Sequence, residues 1–325
     1  MRGVGTGPGV IGSEGCLGAT GIGPDPIWVF LRVSRLARTC KATGARLKRT
    51  GAAVDLGLTN RVFLVTGASR GIGRQIALDA ASEGAWVMLS GRNQAKLSEV
   101  AWQIRDGGGQ ASILALDLTA PHAATTVVNA AMETFGRLDV LVNNASLDTG
   151  AAGPMTGLGD DTPLLSRWQG KVVPAVRCSL AAVAPMTAAG GGRIVMIGGN
   201  SAGTVARQPG GVATSAASGL GNAALANFAK HLSAEVAHVG ILVNIVQPGV
   251  VRTERHSERV RRRAEQRGLD LRTADRSFEN DTPIGRMVTP GDVAAVVLFL
   301  ASVHASAITG QAISVVGGAT AAITY

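Results

Sequence analysis

The feature that most constrains this chain is a repeated alternation that begins at residue 61. RVFLVTG (61–67) is a continuous apolar run closed by glycine. A strand with no polar alternation suits a sheet buried on both faces. Helical period follows in IGRQIALDAASEG (72–84), and AWVMLSGR (85–92) reads as the next strand. The pattern continues through a helix over 93–106, ASILALDLT (111–119), a helix over 122–135 and LDVLVNNAS (138–146). A polar, Gly-rich loop and a helix near 164–188 lead to GRIVMIGG (192–199). A long helix of small residues over about 213–237, ILVNIVQPG (241–249), a charged segment, a helix over 290–302 and AISVVGG (312–318) complete it. Seven strands separated by helices predict a parallel, doubly wound sheet in a single α/β domain.

Composition fits a buried core of small aliphatic side chains. Of 325 residues, 46% are hydrophobic, 16% charged and only 3% aromatic, so disorder is not expected. Cys16, Cys40 and Cys178 are scattered and odd in number. That argues against a disulfide framework or a zinc site and fits a reducing, cytoplasmic setting. The formal net charge is +9, but residues 1–53 carry +6 of it. The body is therefore weakly charged, and neither nucleic acid nor a membrane is an expected partner.

Residues 1–53 stand apart from the domain at 54–325. Residues 1–26 are Gly-rich without hydrophobic period, and 27–50 are basic with interleaved apolar residues. Three readings stay open: a solvated extension, an Arg-rich amphipathic surface or targeting helix, and a start-site artefact with translation beginning near Val54. The run Ile27–Leu31 is too short to span a bilayer.

The first strand opens into TGASRGIG, with Gly67, Gly71 and Gly73 at a strand-to-helix turn. Such a turn lets backbone N–H groups and a helix N-terminus approach a pyrophosphate. Together with LDLT (116–119), NNAS (143–146), QPGVVRT (247–253) and the tail TPIGRMVTPGDVAAVVLFLASVHASAITGQAISVVGG (282–318), the loop resembles the short-chain dehydrogenase/reductase family over about residues 55–320. The resemblance implies a Rossmann-type domain that assembles as an oligomer. It also implies cofactor contacts from Gly67, Ser69, Arg70, Gly71, Ile72, Gly73, Asp117, Leu118, Asn143, Ala145, Pro248, Gly249 and Thr253. After the second strand stand Ser90, Gly91 and Arg92 rather than an acid. With Arg70, Arg92 favours the 2′-phosphate of NADP over NAD.

The proton-transfer set of that family is where the pattern departs. The resemblance implies a Tyr and a Lys four apart on the long helix, a Ser after the fifth strand and an Asn on the preceding helix. The matching positions read Thr214, Ser218, Gly199 and Val172, and the chain's single tyrosine is Tyr325. A phenol drawn toward neutral pKa by a cation is therefore absent from these positions. Substitute donors are Ser201, Asn200, Lys171, Asp148, Asp160, Asp161 and His256.

Residues 254–281 resemble the family's substrate-covering loop. They hold eight arginines and seven acids, and Arg261, Arg262 and Arg263 suit a phosphorylated carrier such as an acyl-CoA or a solvated helix face. Two functions lead, ahead of a nucleic-acid or membrane-surface binder built on the basic N-terminus. One is an NADP-dependent oxidoreductase, acting on an unidentified small molecule, with altered proton transfer. The other is a non-catalytic cofactor-binding subunit or sensor in a homo-oligomer or a mixed oligomer with an active relative.

Overall fold

Every residue of β1 (Val62–Thr66) is buried. Its side chains alternate between two cores. Phe63 and Val65 join the cluster on one face, and Val62 and Leu64 join the other. Helices must therefore cover both faces, as the continuous apolar run predicted. The computed structural model describes residues 54–147, 161–204 and 216–319, all within one compact unit, 54–325. Thr214, Asp148, Asp160 and the N-terminal segment lie outside the described residues.

The elements follow in order: α1 (Gly71–Ser82), β2 (Trp86–Gly91), α2 (Gln94–Asp106), β3 (Gln110–Ala115), α3 (Ala123–Phe135) and β4 (Val140–Asn143). Then come α4 (Thr162–Arg167), a π-helical turn (Trp168–Val172), α5 (Val173–Ala188), β5 (Gly192–Ile197) and a 3₁₀ turn (Asn200–Ala202). The remainder is α6 (Ala216–Val236), β6 (Ile241–Pro248), α7 (His256–Arg267), α8 (Leu271–Asn280), α9 (Pro290–Ala301) and β7 (Ala312–Val315). The seven strands form one parallel sheet in the order β3-β2-β1-β4-β5-β6-β7.

This order reverses between β1 and β4. Loops leaving their carboxyl ends go to opposite faces, which opens a crevice where open α/β sheets take ligands. The opposite edge is closed by charge. Asp139 accepts hydrogen bonds from Arg61 Nη1 (2.8 Å), Val62 N (2.9 Å), and Arg137 Nε and Nη2 (2.8 and 2.6 Å). Burial opposes the charge of Asp139, yet the bonds from Arg137, Val62 and Arg61 hold its carboxyl below the usual range.

Two expectations change in detail. The single helix near 164–188 is two α-helices joined by a π turn, with Pro174 just inside the second. Pro174 has no N–H to donate, so the ladder is already broken there. The segment 254–281 is a helical pair, α7 and α8, around a small core of Val260, Ala264, Ala274, Phe278 and Met287. Arg263 lies over the Phe278 ring at 3.3 Å and bonds Ser277 and Asp281. It is thus held inside the pair, while Arg261 and Arg262 are exposed. His256, also in this pair, bonds Asp275 at 2.6 Å.

Candidate active site

The crevice at the β1–β4 reversal is lined by the glycine loop (Gly67, Ser69, Arg70, Gly71, Ile72), by Gly91 and Arg92 after β2, and by Leu116 to Thr119 after β3. Asn144 to Leu147, Gly170, Pro174 and Thr253 to Arg255 complete it. Gly67 and Gly71 have φ of +65° and +58°, where a side chain would strain the backbone. Gly73 is needed for space: a Cβ there would lie 2.5 Å from the Gly67 carbonyl oxygen. The turn therefore stays tight and points the N-terminus of α1 into the crevice. Glu254 Oε1 already accepts from the Gly71 N–H at 3.4 Å, so a carboxylate stands where the backbone is arranged to take an anion. These residues fit the pyrophosphate of a dinucleotide.

Beside the glycine loop is a shallow hollow lined by Ser69, Arg70, Arg92, Asn93 and Lys96. The Asn93 side chain accepts from the Lys96 N–H at 2.9 Å and caps α2, which fixes the first turn of that helix beside Arg92. Three cations and no acid line this hollow. Asp117 lies in the main crevice instead. Hydrogen bonds from Thr119 lead the causes that keep its carboxyl below the usual range, with help from Arg92.

The remaining expected cofactor residues make contacts of other kinds. Asn143 is buried, and its Nδ2 donates to Ser179 Oγ at 2.9 Å, away from the crevice. Its neighbour Asn144 lines the crevice, donating from Nδ2 to the carbonyls of Thr66 and Gly67 at 3.0 and 3.1 Å. Thr66 Oγ1 accepts from the N–H groups of Asn144 and Ala145, which locks β1 to the loop after β4. Pro248 and Gly249 end β6 beside Val315 and Val316. Gly73 acts from beneath, by close approach.

Of the expected proton-transfer positions, Val172, Gly199 and Ser218 fall among the described residues. Val172 is 4% exposed and belongs to the core. Lys171, beside it, donates from Nζ to Gly198 O at 2.9 Å and to Asn222 Oδ1 at 2.6 Å. Asn222, one turn beyond Ser218 on α6, is the residue that meets the end of β5. Its Nδ2 donates to Ser201 Oγ at 3.0 Å. Gly199 makes room for it: a Cβ there would lie 2.6 Å from Asn222 Nδ2. Asn200 opens the 3₁₀ turn, and its carbonyl accepts from Thr204 Oγ1. Asp161 lies exposed at the start of α4. Burial, then the charge of Arg167, push the Lys171 ammonium down from 10.5 to about 7. The small residues Gly219 and Gly221 serve close contacts with Ser201 and Arg167 inside the chain.

The short chain dehydrogenase family model matches residues 61–264, more than half of the chain. The short-chain reductase protein NovJ of Streptomyces niveus is 34% identical over 260 residues, 79% of this chain and 93% of that protein. The NADPH-dependent reductase BacG of Bacillus subtilis is 30% identical over 263 residues, 80% of this chain and 98% of its own. L-Sorbose reductase from Gluconobacter frateurii, solved with NADPH and L-sorbose, superposes with a TM-score of 0.75 at 29% identity, covering 83% of this chain and all of that one. Among the described residues, no helix is long and apolar enough to cross a membrane, and no group of acids, cysteines and histidines could hold a metal ion.

Proposed function

This chain belongs to the short-chain dehydrogenase family and is an NAD(P)-dependent oxidoreductase of that type; on that premise we propose that it is an NADP-dependent reductase of carbonyl compounds with a proton-transfer set of its own. The observation that carries the cofactor choice is the hollow of Arg70, Arg92 and Lys96 beside the glycine loop. A 2′-phosphate there gains charge-assisted bonds that the hydroxyl of NAD does not. When bound, the cofactor supplies the hydride. Gly67, Gly71 and the N-terminus of α1 hold its pyrophosphate, and Asn144 and Ala145 shape the wall opposite. The NADPH-dependent reductase BacG and the L-sorbose reductase solved with NADPH support the same choice.

The competing reading is a cofactor-binding subunit without turnover, in a homo-oligomer or paired with an active relative. It rests on the absence of tyrosine from residues 1–324. Titration with NADPH and NADH, followed by NADPH oxidation against a panel of ketones, tests both. Selective NADPH binding with consumption supports the reductase. Binding without consumption of any ketone favours the subunit, and equal affinity for both cofactors overturns the NADP assignment.

A further inference from the structure

Three lysines fall among the described residues. Lys96 and Lys230 are exposed, and Lys171 alone is partly buried. A buried ammonium is costly without a counter-charge, and ordinary structural lysines find a carboxylate. Among the described residues, no carboxylate bonds Lys171. Its partners are neutral: the Gly198 carbonyl at the end of β5 and the Asn222 amide oxygen on α6. An ammonium has three N–H donors. These contacts occupy two and leave a third.

The surroundings hold that group in place. The π turn Trp168–Val172 carries Lys171 between Gly170, which lines the crevice, and the core residue Val172. Such turns recur at functional sites because the extra residue re-aims a side chain. Asn222 is 5% exposed and bridges Lys171 to Ser201. Because Asn222 donates to Ser201 Oγ, the Ser201 hydroxyl proton is left to donate elsewhere. Gly199 leaves room for that amide, because a Cβ there would lie 2.6 Å from Asn222 Nδ2. The result is a hydrogen-bonded line, Lys171–Asn222–Ser201, at the carboxyl edge of the sheet, one strand beyond the reversal.

We propose that Lys171 is the proton donor to the substrate oxygen, with Asn222 as its positioning residue and Ser201 as a second donor to the same oxygen. The inference rests on the reductase reading above. As the carbonyl carbon takes a hydride from the reduced nicotinamide, the C=O π pair moves to oxygen. That oxygen takes a proton from the Lys171 ammonium as one N–H bond breaks. The products are an alcohol, the oxidised nicotinamide and a neutral Lys171 amine, which regains its proton from solvent. An acid that titrates near the working pH is suited to this step, and burial places Lys171 there. Arg167 is the charged group whose field reaches Lys171, while β5, the 3₁₀ turn and α6 present Gly198, Ser201 and Asn222 to it.

The test uses the full chain and three readouts. NADPH binding is followed by cofactor fluorescence in the wild type, Lys171→Arg and Lys171→Ala. Reduction of a ketone panel is followed as a pH profile, with methylamine and ethylamine added to Lys171→Ala. Lysine labelled with ¹³C at Cε is titrated by NMR with NADPH present, and the Lys171 signal is assigned by its loss in Lys171→Ala. The expected result is unchanged NADPH affinity in Lys171→Arg and a turnover loss of about 10²–10⁴-fold. Rescue by added amine and a Lys171 resonance titrating near neutrality are also expected. Because arginine keeps the cation, loss in this variant with binding intact separates proton donation from folding. Turnover within threefold of wild type in Lys171→Arg, or titration of Lys171 above pH 9, overturns the inference alone. No NADPH binding by the wild type, or binding with no turnover of any carbonyl, overturns the reductase reading and this inference with it.

Discussion

Replacing Lys171 by methionine removes the ammonium while keeping much of its length, and the effect on stability depends on pH. In the folded chain, burial and then Arg167 lower the lysine from 10.5 to about 7. In the unfolded chain it titrates near its free value, about 10.4. Between those values the unfolded state holds a proton that the folded state lacks, so stability contributed by this group rises with pH. Below pH 7 both states are charged, and the group adds no slope. Each pH unit is worth about 1.4 kcal/mol, so the rise across roughly three units is on the order of 4 kcal/mol. The variant also loses the donors to Gly198 O and Asn222 Oδ1, which costs about 1–3 kcal/mol, but that loss is the same at every pH. Urea unfolding of both proteins at several pH values from 6 to 10 separates the two effects. The wild type is expected to gain stability on the variant steadily above pH 7. Other titrating groups cancel in the difference. Parallel curves for the two proteins over the whole range would refute the argument, because they would mean that Lys171 keeps an ordinary lysine pKa.

Three further outcomes follow from single contacts. Gly199→Ala sets a Cβ 2.6 Å from Asn222 Nδ2, so ketone reduction should fall at least tenfold with NADPH affinity unchanged; wild-type kinetics in this variant would contradict the packing argument. Arg92→Ser removes one cation from the hollow beside the glycine loop. NADPH affinity should drop about tenfold to a hundredfold, at 1.5–3 kcal/mol for a charge-assisted bond, with NADH affinity unmoved in the same calorimetric titration. Asp139→Ala strips the shared acceptor from Arg61, Arg137 and the buried Val62 N–H, and chemical denaturation should report a loss of about 3 kcal/mol. The Asp139 contribution is present at neutral pH and is lost as pH falls through its depressed folded-state pKa, so the gap between variant and wild type should narrow in acid.

The sheet was legible because each central strand is an uninterrupted apolar run, and only a parallel sheet covered on both faces buries such runs. The glycine loop was legible because Gly67 and Gly71 need positive φ and Gly73 needs space, constraints that leave a trace in residue type. The rest of the site depends on rotation about helix axes. In α6 the small residues AASGLGNAALA carry little periodicity, so the sequence does not tell which of Ser218 and Asn222 turns toward β5. The π turn at Trp168–Val172 adds a residue to its turn, which brings Lys171 rather than Val172 to the polar side. Lys96 joins Arg70 and Arg92 only through the packing of the β1–α1 turn beside the start of α2, a tertiary contact without a sequence motif. Asn143 and Asn144 differ by one strand position, and that sends one to Ser179 and the other to the crevice wall.

One titration carried into turnover tests NADP-dependent reduction of carbonyl compounds by this chain. The full chain is titrated with NADPH and, in parallel, with NADH; ketones are then added to the loaded protein and the reduced nicotinamide absorbance is followed. An NADP-dependent reductase binds NADPH more tightly than NADH and consumes it with at least one ketone. Equal binding of the two cofactors, or tight NADPH binding with no consumption of any ketone, would contradict this reading.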